Sequence, residues 1–242
     1  MQTTHFWHQL YLHGKKAGLV ICLLLLFASS HTFAQRHINL PDYDEKPLHY
    51  GFQIGIYNSV LNVRTTEDFL TSGFTYNDTI SLVSVRGAWQ QGFSVGFIMD
   101  FALPDELWSV RLMPNVAFYN RRIDLYGTND TEIEPLQTEA TVVEVPLMLK
   151  YKASRRRNSR MYFTGGVTTG IQVGGKNAGV NLEKINYEVS YGVGFDFYWQ
   201  LFKFAPEVRF SHGLNSIVAP SASAPFINGA TSHKVSLLLN FE

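Results

Sequence analysis

Cysteine is nearly missing from this sequence, charge is sparse, and its main part contains no long apolar run. One Cys in 242 residues excludes a disulfide scaffold and a Cys-rich zinc site, since both need several thiols. Only 17% of residues are charged, and 20 Lys+Arg are balanced by 20 Asp+Glu, so electrostatics call for no nucleic acid or other polyanion as partner. Beyond residue 34 no stretch reaches the roughly 18 apolar residues of a membrane helix, and none carries an i, i+3, i+4, i+7 stripe. What is present is a hydrophobic fraction of 45%, with 14% aromatics and 19 Gly. That is enough for one sizeable core and unlike a disordered chain.

The first residues have the form of an export signal. Lys15 and Lys16 precede an apolar run from Ala17 to Ala28, and Thr32-Phe33-Ala34 offers small residues for cleavage before Gln35. The run is too short for the ~20 residues of a helical span. Cys22 lies in its middle and lacks the small neighbours of a lipoprotein site. Residues 1–34 are therefore expected to be a signal peptide, 35–49 an N-terminal arm and 50–242 the folded domain.

In that domain, alternation with period two recurs in eight segments, near 50–58, 91–101, 108–119, 139–151, 160–173, 185–199, 202–212 and 232–241. One parity is apolar throughout, as in Phe93, Val95, Phe97, Met99, Phe101 or Val235, Leu237, Leu239, Phe241, and none of its positions is charged. The opposite parity carries Asp100, Arg111, Glu144, Lys150, Arg160, Glu188, Asp196, Lys203, Glu207, Arg209, Lys234 and Glu242, six acids and six bases. Alternation by itself fits a soluble sandwich as well as a membrane barrel. Three features favour the barrel. The links near 59–90, 120–138, 174–184 and 213–231 are long, while those near 102–107, 152–159 and 200–201 are short, as in outer-membrane barrels with external loops and periplasmic turns. That topology gathers Tyr50, Phe101, Trp108, Tyr151, Trp199, Phe202 and Phe241 at one rim, where such rings prefer the lipid interface. Pairing of the last segment with the first would remove the open sheet edge.

The fold expected is thus all-β, an eight-stranded antiparallel up-and-down transmembrane β-barrel in the outer membrane, with both termini periplasmic and membrane lipid as its surroundings. A barrel of eight strands is filled by its own side chains. The charged parity therefore reads as a plug of ion pairs, each charge needing a partner because an unpaired buried ion costs several kcal/mol. Pro114, Pro146 and Pro206 resist the assignment, since each lacks a ladder donor, and bulges or shifted strand ends are expected there.

Several apparent chemical motifs have plainer readings. Gly170 to Asn177 nearly matches a phosphate-binding loop, but Asn177 replaces the hydroxyl residue and no helix pattern follows, so a Gly-rich turn is expected. Ser211 and His212 are adjacent on one strand and point to opposite faces, which prevents proton sharing. His212 and His233 lack a third ligand for zinc. No enzymatic activity, metal or cofactor is expected. The turn with Arg155, Arg156, Arg157 and Arg160 is either simply solvated or in contact with headgroups or a partner. The arm, with Asp42, Tyr43, Asp44, Glu45 and Lys46 between Pro41 and Pro47, is either a tether or a docking peptide for a periplasmic partner.

Two resemblances follow from particular residues. Glu144-Val145-Pro146-Leu147-Met148-Leu149-Lys150-Tyr151, with Tyr162 and Gly165-Gly166, resembles the small outer-membrane barrel domain common in Bacteroidetes-type bacteria. Asn39-Leu40-Pro41, Lys46-Pro47-Leu48-His49-Tyr50-Gly51-Phe52, Arg111-Leu112-Met113-Pro114, Phe118-Tyr119 and Phe210-Ser211-His212-Gly213 are together similar to the PorT family of the type IX secretion system. That resemblance, over essentially the whole mature chain, implies a non-enzymatic outer-membrane component or assembly factor. It would be needed for export of cargo with C-terminal sorting domains and would work with other secretion proteins. The alternative is a general surface barrel that binds ligands or a host through its external loops, with a lipid-modifying hydrolase third.

Overall fold

The structure is a computed structural model, and it describes residues 38–67, 69, 75–76, 80–105, 107–128, 132–177, 181–219 and 225–242. The expected signal peptide and the first arm residues, 35–37, lie outside the described residues.

Eight strands form a closed antiparallel ring. We label them β1 (Leu48–Thr65), β2 in two pieces (Ile80–Ala88 and Gln90–Ala102), β3 in two pieces (Trp108–Leu112 and Asn115–Gly127), β4 (Glu132–Lys152), β5 (Ser159–Asn177), β6 (Ile185–Tyr198), β7 (Lys203–Gly213) and β8 (Ile227–Phe241). Each pairs with its chain neighbours, and β1 pairs both with β2, from Leu48↔Phe101 to Ser59↔Gln90, and with β8, from Phe52↔Phe241 to Thr65↔Ile227. The ring thus leaves no open edge.

Side-chain direction follows the parity in the sequence. Tyr50, Phe52, Ile54 and Ile56 of β1 are exposed on the outside, while Gln53, Tyr57 and Ser59 are buried inside. Outward residues from Trp108 to Phe118 cover about 33 Å of strand, or ~25 Å along the barrel axis at a tilt near 40°, the height of a lipid-facing band. The ring of aromatics at the rim of short turns is in place: Trp108 and Tyr151 have ring centroids 4.8 Å apart, Phe52 and Phe241 4.8 Å, and Trp199 and Phe202 6.0 Å.

The strands run further than the alternating segments at the opposite rim. Residues expected in the link near 120–138 instead continue β3 and β4 as a long hairpin, and β1 continues to Thr65. The physical reason is that the polarity of the two faces inverts. Above the apolar belt, Asn62, Arg64 and Asn120 point out, whereas Leu61, Ile123, Leu125 and Ile133 point in. These inward residues join Leu82, Ile217, Val218, Phe226, Ile227 and Ala230 in one apolar core, closing that end of the barrel. Ile217 is tied across it by backbone bonds to Glu183 and Ala230.

Of the bulges or shifted strand ends expected at the prolines, a strand end is found at Pro114, and no register shift falls at any of the three. Pro114 falls in the break between the two pieces of β3. Pro146 lies within continuous β4, opposite Met113, whose amide donates to the Pro146 carbonyl at 3.0 Å. Pro146 has no N–H to return, and the Asn115 side-chain amide donates to the Met113 carbonyl instead, at 3.2 Å. Pro206 keeps its rung with Leu239 of β8, but the β6–β7 ladder skips from Gly194↔Glu207 to Phe197↔Phe204. The register shifts occur elsewhere, at Arg64/Thr65, Leu82/Ser84, Ile123/Leu125 and Thr141/Val142. The Gly-rich stretch from Gly170 to Asn177 is the end of β5, and only Gly175 uses a positive φ, of 140°.

Candidate functional site

The interior is the most organised part of the molecule. All twelve charged residues of the inward parity are directed into the lumen, eleven of them fully buried and Glu242 with its side chain shielded from solvent. They form two layers. In the layer nearer the termini, Arg111 Nη2 lies 2.7 Å from Asp100 and 2.7 Å from Glu242, with its Nη1 4.0 Å from Glu207. Lys203 Nζ is 2.6 Å from Glu242, and Arg209 is 2.7 Å from Glu207. Asp196 receives Lys150 at 2.9 Å and Arg160 at 2.8 Å. In the second layer Lys234 Nζ bridges Glu144 at 2.7 Å and Glu188 at 3.1 Å. Ile98, Met113 and Met148 pack as an apolar cluster within the lumen.

Tyrosines complete the donor set around these carboxylates, a contribution that charge counting misses. Tyr162 donates to Glu207 at 3.1 Å, Tyr119 donates to Glu144, and Lys150 Nζ sits 3.8 Å above the Tyr162 ring. All sit on the charged parity, so the signal was in the alternation: an inward tyrosine among charges is a hydroxyl donor rather than a lipid anchor. The cavity left among Gln53, Asn115, Glu144, Arg209 and Lys234 measures about 20 Å³, room for a water or so.

The arm closes the other mouth. Pro41–Tyr43 forms a single 3₁₀ turn, and the chain is clamped by Asn39, which bonds the Asn158 side chain at 2.8 Å and the Tyr198 carbonyl at 3.0 Å. Tyr43 stacks on His49 with centroids 4.0 Å apart, donates to Glu242 at 3.2 Å, and lies under Lys203 Nζ at 4.6 Å. Burial, reinforced by the Glu242 carboxylate, pushes its hydroxyl far above the usual range, so it stays a donor. Asp44 pairs with Arg160 at 2.9 Å and Arg155 at 3.4 Å and accepts from Tyr198 at 3.2 Å. Burial pushes the Asp44 carboxyl up, but Arg160, the Tyr198 hydroxyl and Arg155 outweigh it and hold the carboxyl below the ordinary aspartate value. Arg155 also donates to the Asn39 and Leu40 carbonyls and lies 3.6 Å over the Tyr198 ring. Of the five arm residues singled out in the sequence, Tyr43 and Asp44 face the barrel, whereas Asp42, Glu45 and Lys46 are exposed. Arg155 and Arg160 of the basic turn are engaged with the arm; Arg156 and Arg157 are not among its contacts.

Ser211 and His212 face opposite ways. The Ser211 hydroxyl is buried 2.8 Å from Ser190, while His212 is exposed, its Nδ1 3.0 Å from His233 Nδ1 and its Nε2 3.3 Å from the Tyr191 hydroxyl. Among the described residues no three His, Cys, Asp or Glu side chains are grouped to hold a metal.

Among curated proteins no significant sequence match is found. Solved structures that resemble the chain are small outer-membrane proteins. OprG from Pseudomonas aeruginosa is 14% identical, covering 79% of this chain and 93% of its own, with a TM-score of 0.47. Neisserial surface protein A is 9% identical, covering 81% and 98%, with a TM-score of 0.43. Ail, the attachment invasion locus protein of Yersinia pestis, is 13% identical, covering 79% and 96%, with a TM-score of 0.34. Likeness at this level says nothing about ligand or partner. Residues 33–219 match the family described as the outer membrane protein beta-barrel domain, and with an eight-stranded ring, an apolar belt and a charged interior all present, the chain belongs to that family of outer-membrane β-barrels.

Proposed function

We propose that this barrel is a non-enzymatic component or assembly factor of the type IX secretion system, acting through contacts at its rims rather than as a conduit. The observation that carries the reading is the closed lumen: ion pairs fill it, apolar residues cap one end, and the arm fills the other. A protein that supports export without a pore must hold or order other components. The segments similar to the PorT family supply this particular machinery. Asn39-Leu40-Pro41 begins the clamped arm, and Arg111-Leu112-Met113-Pro114 carries both the central arginine and the strand break. The mature chain would start at Gln35 with both termini in the periplasm, which sets the arm's exposed Asp42, Glu45 and Lys46 before a periplasmic partner.

Loss of the gene is expected to trap cargo with C-terminal sorting domains in the periplasm. Replacing Asp42, Glu45 and Lys46 together by Ala should reproduce the defect while leaving the barrel inserted, because none of the three serves as a side-chain plug. Normal export in both strains would refute the proposal. The surface-binding alternative expects normal secretion, with binding lost when the links near Asp78 or Asn129, outside the described residues, are shortened.

A further inference from the structure

Beyond the shift at Leu82/Ser84, the barrel wall has a second irregular place between β2 and β3. Rungs connect Phe93 with Phe118 and Ala88 with Arg122, five residues apart on β2 but four on β3. No rung joins Trp89–Gly92 to Tyr119–Arg121. The Tyr57 ring passes over Gly92, where a Cβ would stand 2.5 Å from it, and its hydroxyl takes the Phe118 carbonyl at 2.9 Å. Beside this gap lies a pocket of about 410 Å³ lined by Gln90, Asn120, Arg121, Arg122, Gln137 and Glu139.

Arg121 distinguishes the pocket. It points inward, is only 7% exposed, and its Nε is buried without a hydrogen-bond partner. Its guanidinium lies 4.9 Å from the Tyr119 ring centre, and among the described residues it makes no ion pair. By contrast Arg111, Lys150, Arg160, Lys203, Arg209 and Lys234 each touch a carboxylate. Glu188 and Glu144 act on it only from beyond ion-pair distance, and a buried guanidinium without a carboxylate in contact is costly and suited to a phosphate. Arg122 is held by Asp124 at 2.5 Å, so Arg121 is the cation left for a ligand. The amides of Gln90, Asn120 and Gln137 and the exposed Glu139 offer both donors and acceptors for hydroxyl groups.

The height of the pocket says where the ligand comes from. On three adjacent strands the outer face changes from apolar to polar at this level, from Ile56 to Asn58, Phe93 to Gln91 and Phe118 to Asn120, and Trp89 is 58% exposed beside it. This is the edge of the lipid band on the side away from the termini, where headgroups lie. We propose that the pocket binds the phosphorylated sugar headgroup of an outer-leaflet glycolipid, the phosphate on Arg121 and sugar hydroxyls on the amides and Glu139. Glu139 repels the phosphate and so fixes the orientation.

The test uses the purified full-length barrel, refolded in phosphatidylcholine nanodiscs and titrated with monophosphoryl lipid A, its dephosphorylated form, and free glucosamine 1-phosphate, with binding read by native mass spectrometry. Monophosphoryl lipid A should bind, the other two at least tenfold more weakly, and Arg121→Gln should lose at least tenfold in affinity while keeping the heat-modifiable gel mobility of a folded barrel. Unchanged affinity in folded R121Q, or equal binding of the dephosphorylated lipid, would overturn the proposal. Free glucosamine 1-phosphate binding as tightly as the lipid would overturn the lipid source. Should R121Q fail to fold, Asn120→Leu and Gln137→Leu, both on the exposed outer face, decide the matter: unchanged affinity in both would overturn it.

Discussion

Replacing Arg111 by Met removes a wholly buried guanidinium from among three carboxylates while keeping much of its volume. Two of those carboxylates retain a cation, Glu242 with Lys203 and Glu207 with Arg209. Asp100, the direct cross-strand neighbour of Arg111, has no other ion pair among the described residues. The cost of R111M is therefore chiefly that of stranding Asp100, about 3–5 kcal/mol for breaking a buried pair from one side. Asp100→Asn should cost less, ~1–3 kcal/mol, because Arg111 keeps Glu242 and the new amide still offers an acceptor. With both changes no charge is stranded at this pair, so the double variant should fall short of the sum by roughly 2–3 kcal/mol. Urea titrations in lipid vesicles, followed by circular dichroism and gel mobility, measure all three variants against the parent. The coupling should also persist at 1 M salt, since buried pairs are little screened. Additivity within about 0.5 kcal/mol would refute the reasoning, because it would mean that water reaches and screens these groups.

Purified protein in planar bilayers should show no steady conductance, since the cavity between the two charged layers holds only about 20 Å³; stable nanosiemens-scale channels would contradict the closed lumen. The arm should loosen in acid. Because Asp44 is held below its ordinary value, its contribution is present above the unfolded pKa of about 4 and is lost as pH falls through the lower, folded one. Hydrogen-exchange protection at Tyr43 and Lys46, whose amides bond Leu40 and Tyr43, should then drop with acid in the parent and be low at neutral pH in Asp44→Asn; protection indifferent to pH would count against this. Asn115→Leu should destabilise by ~1–3 kcal/mol, because the Met113 carbonyl facing Pro146 loses its donor, and an unchanged urea midpoint would show that another group replaces it.

Much of the barrel was legible because a strand exposes alternate residues to opposite sides, and lipid outside with ion pairs inside leaves an uninterrupted one-sided record. The eight strands, the inward set from Asp100 to Lys234 and the aromatic rim all follow from that record. The same rule hid the strand ends. Once the wall leaves the lipid band, water is outside and a core inside, so Asn62 and Arg64 face out while Leu61 and Ile123 face in. The alternation persists but changes sign, and a reader following one sign takes β3 and β4 beyond Phe118 for loop.

Partners within the lumen were not legible at all. Parity places Glu144, Glu188 and Lys234 inside, but only the closing of β1 on β8 and the stagger of the strands bring Lys234 between the two acids. For the arm the sequence offered two prolines and a mixture of charges. That Tyr43 and Asp44 turn into the mouth was decided by Glu242, Arg155, Arg160 and Tyr198, which come from three distant parts of the chain. Arg121, two residues past the end of its recognised segment, carries the parity of its neighbours in the lumen, and its lack of a carboxylate in contact is a fact of three-dimensional arrangement. The sequence by itself determined which side of the wall each residue within the lipid band faces, because period-two geometry is local. Which charges meet, which mouth is plugged and where one arginine is left over were decided by the tertiary structure, because ring closure and strand stagger set distances between residues far apart in the chain.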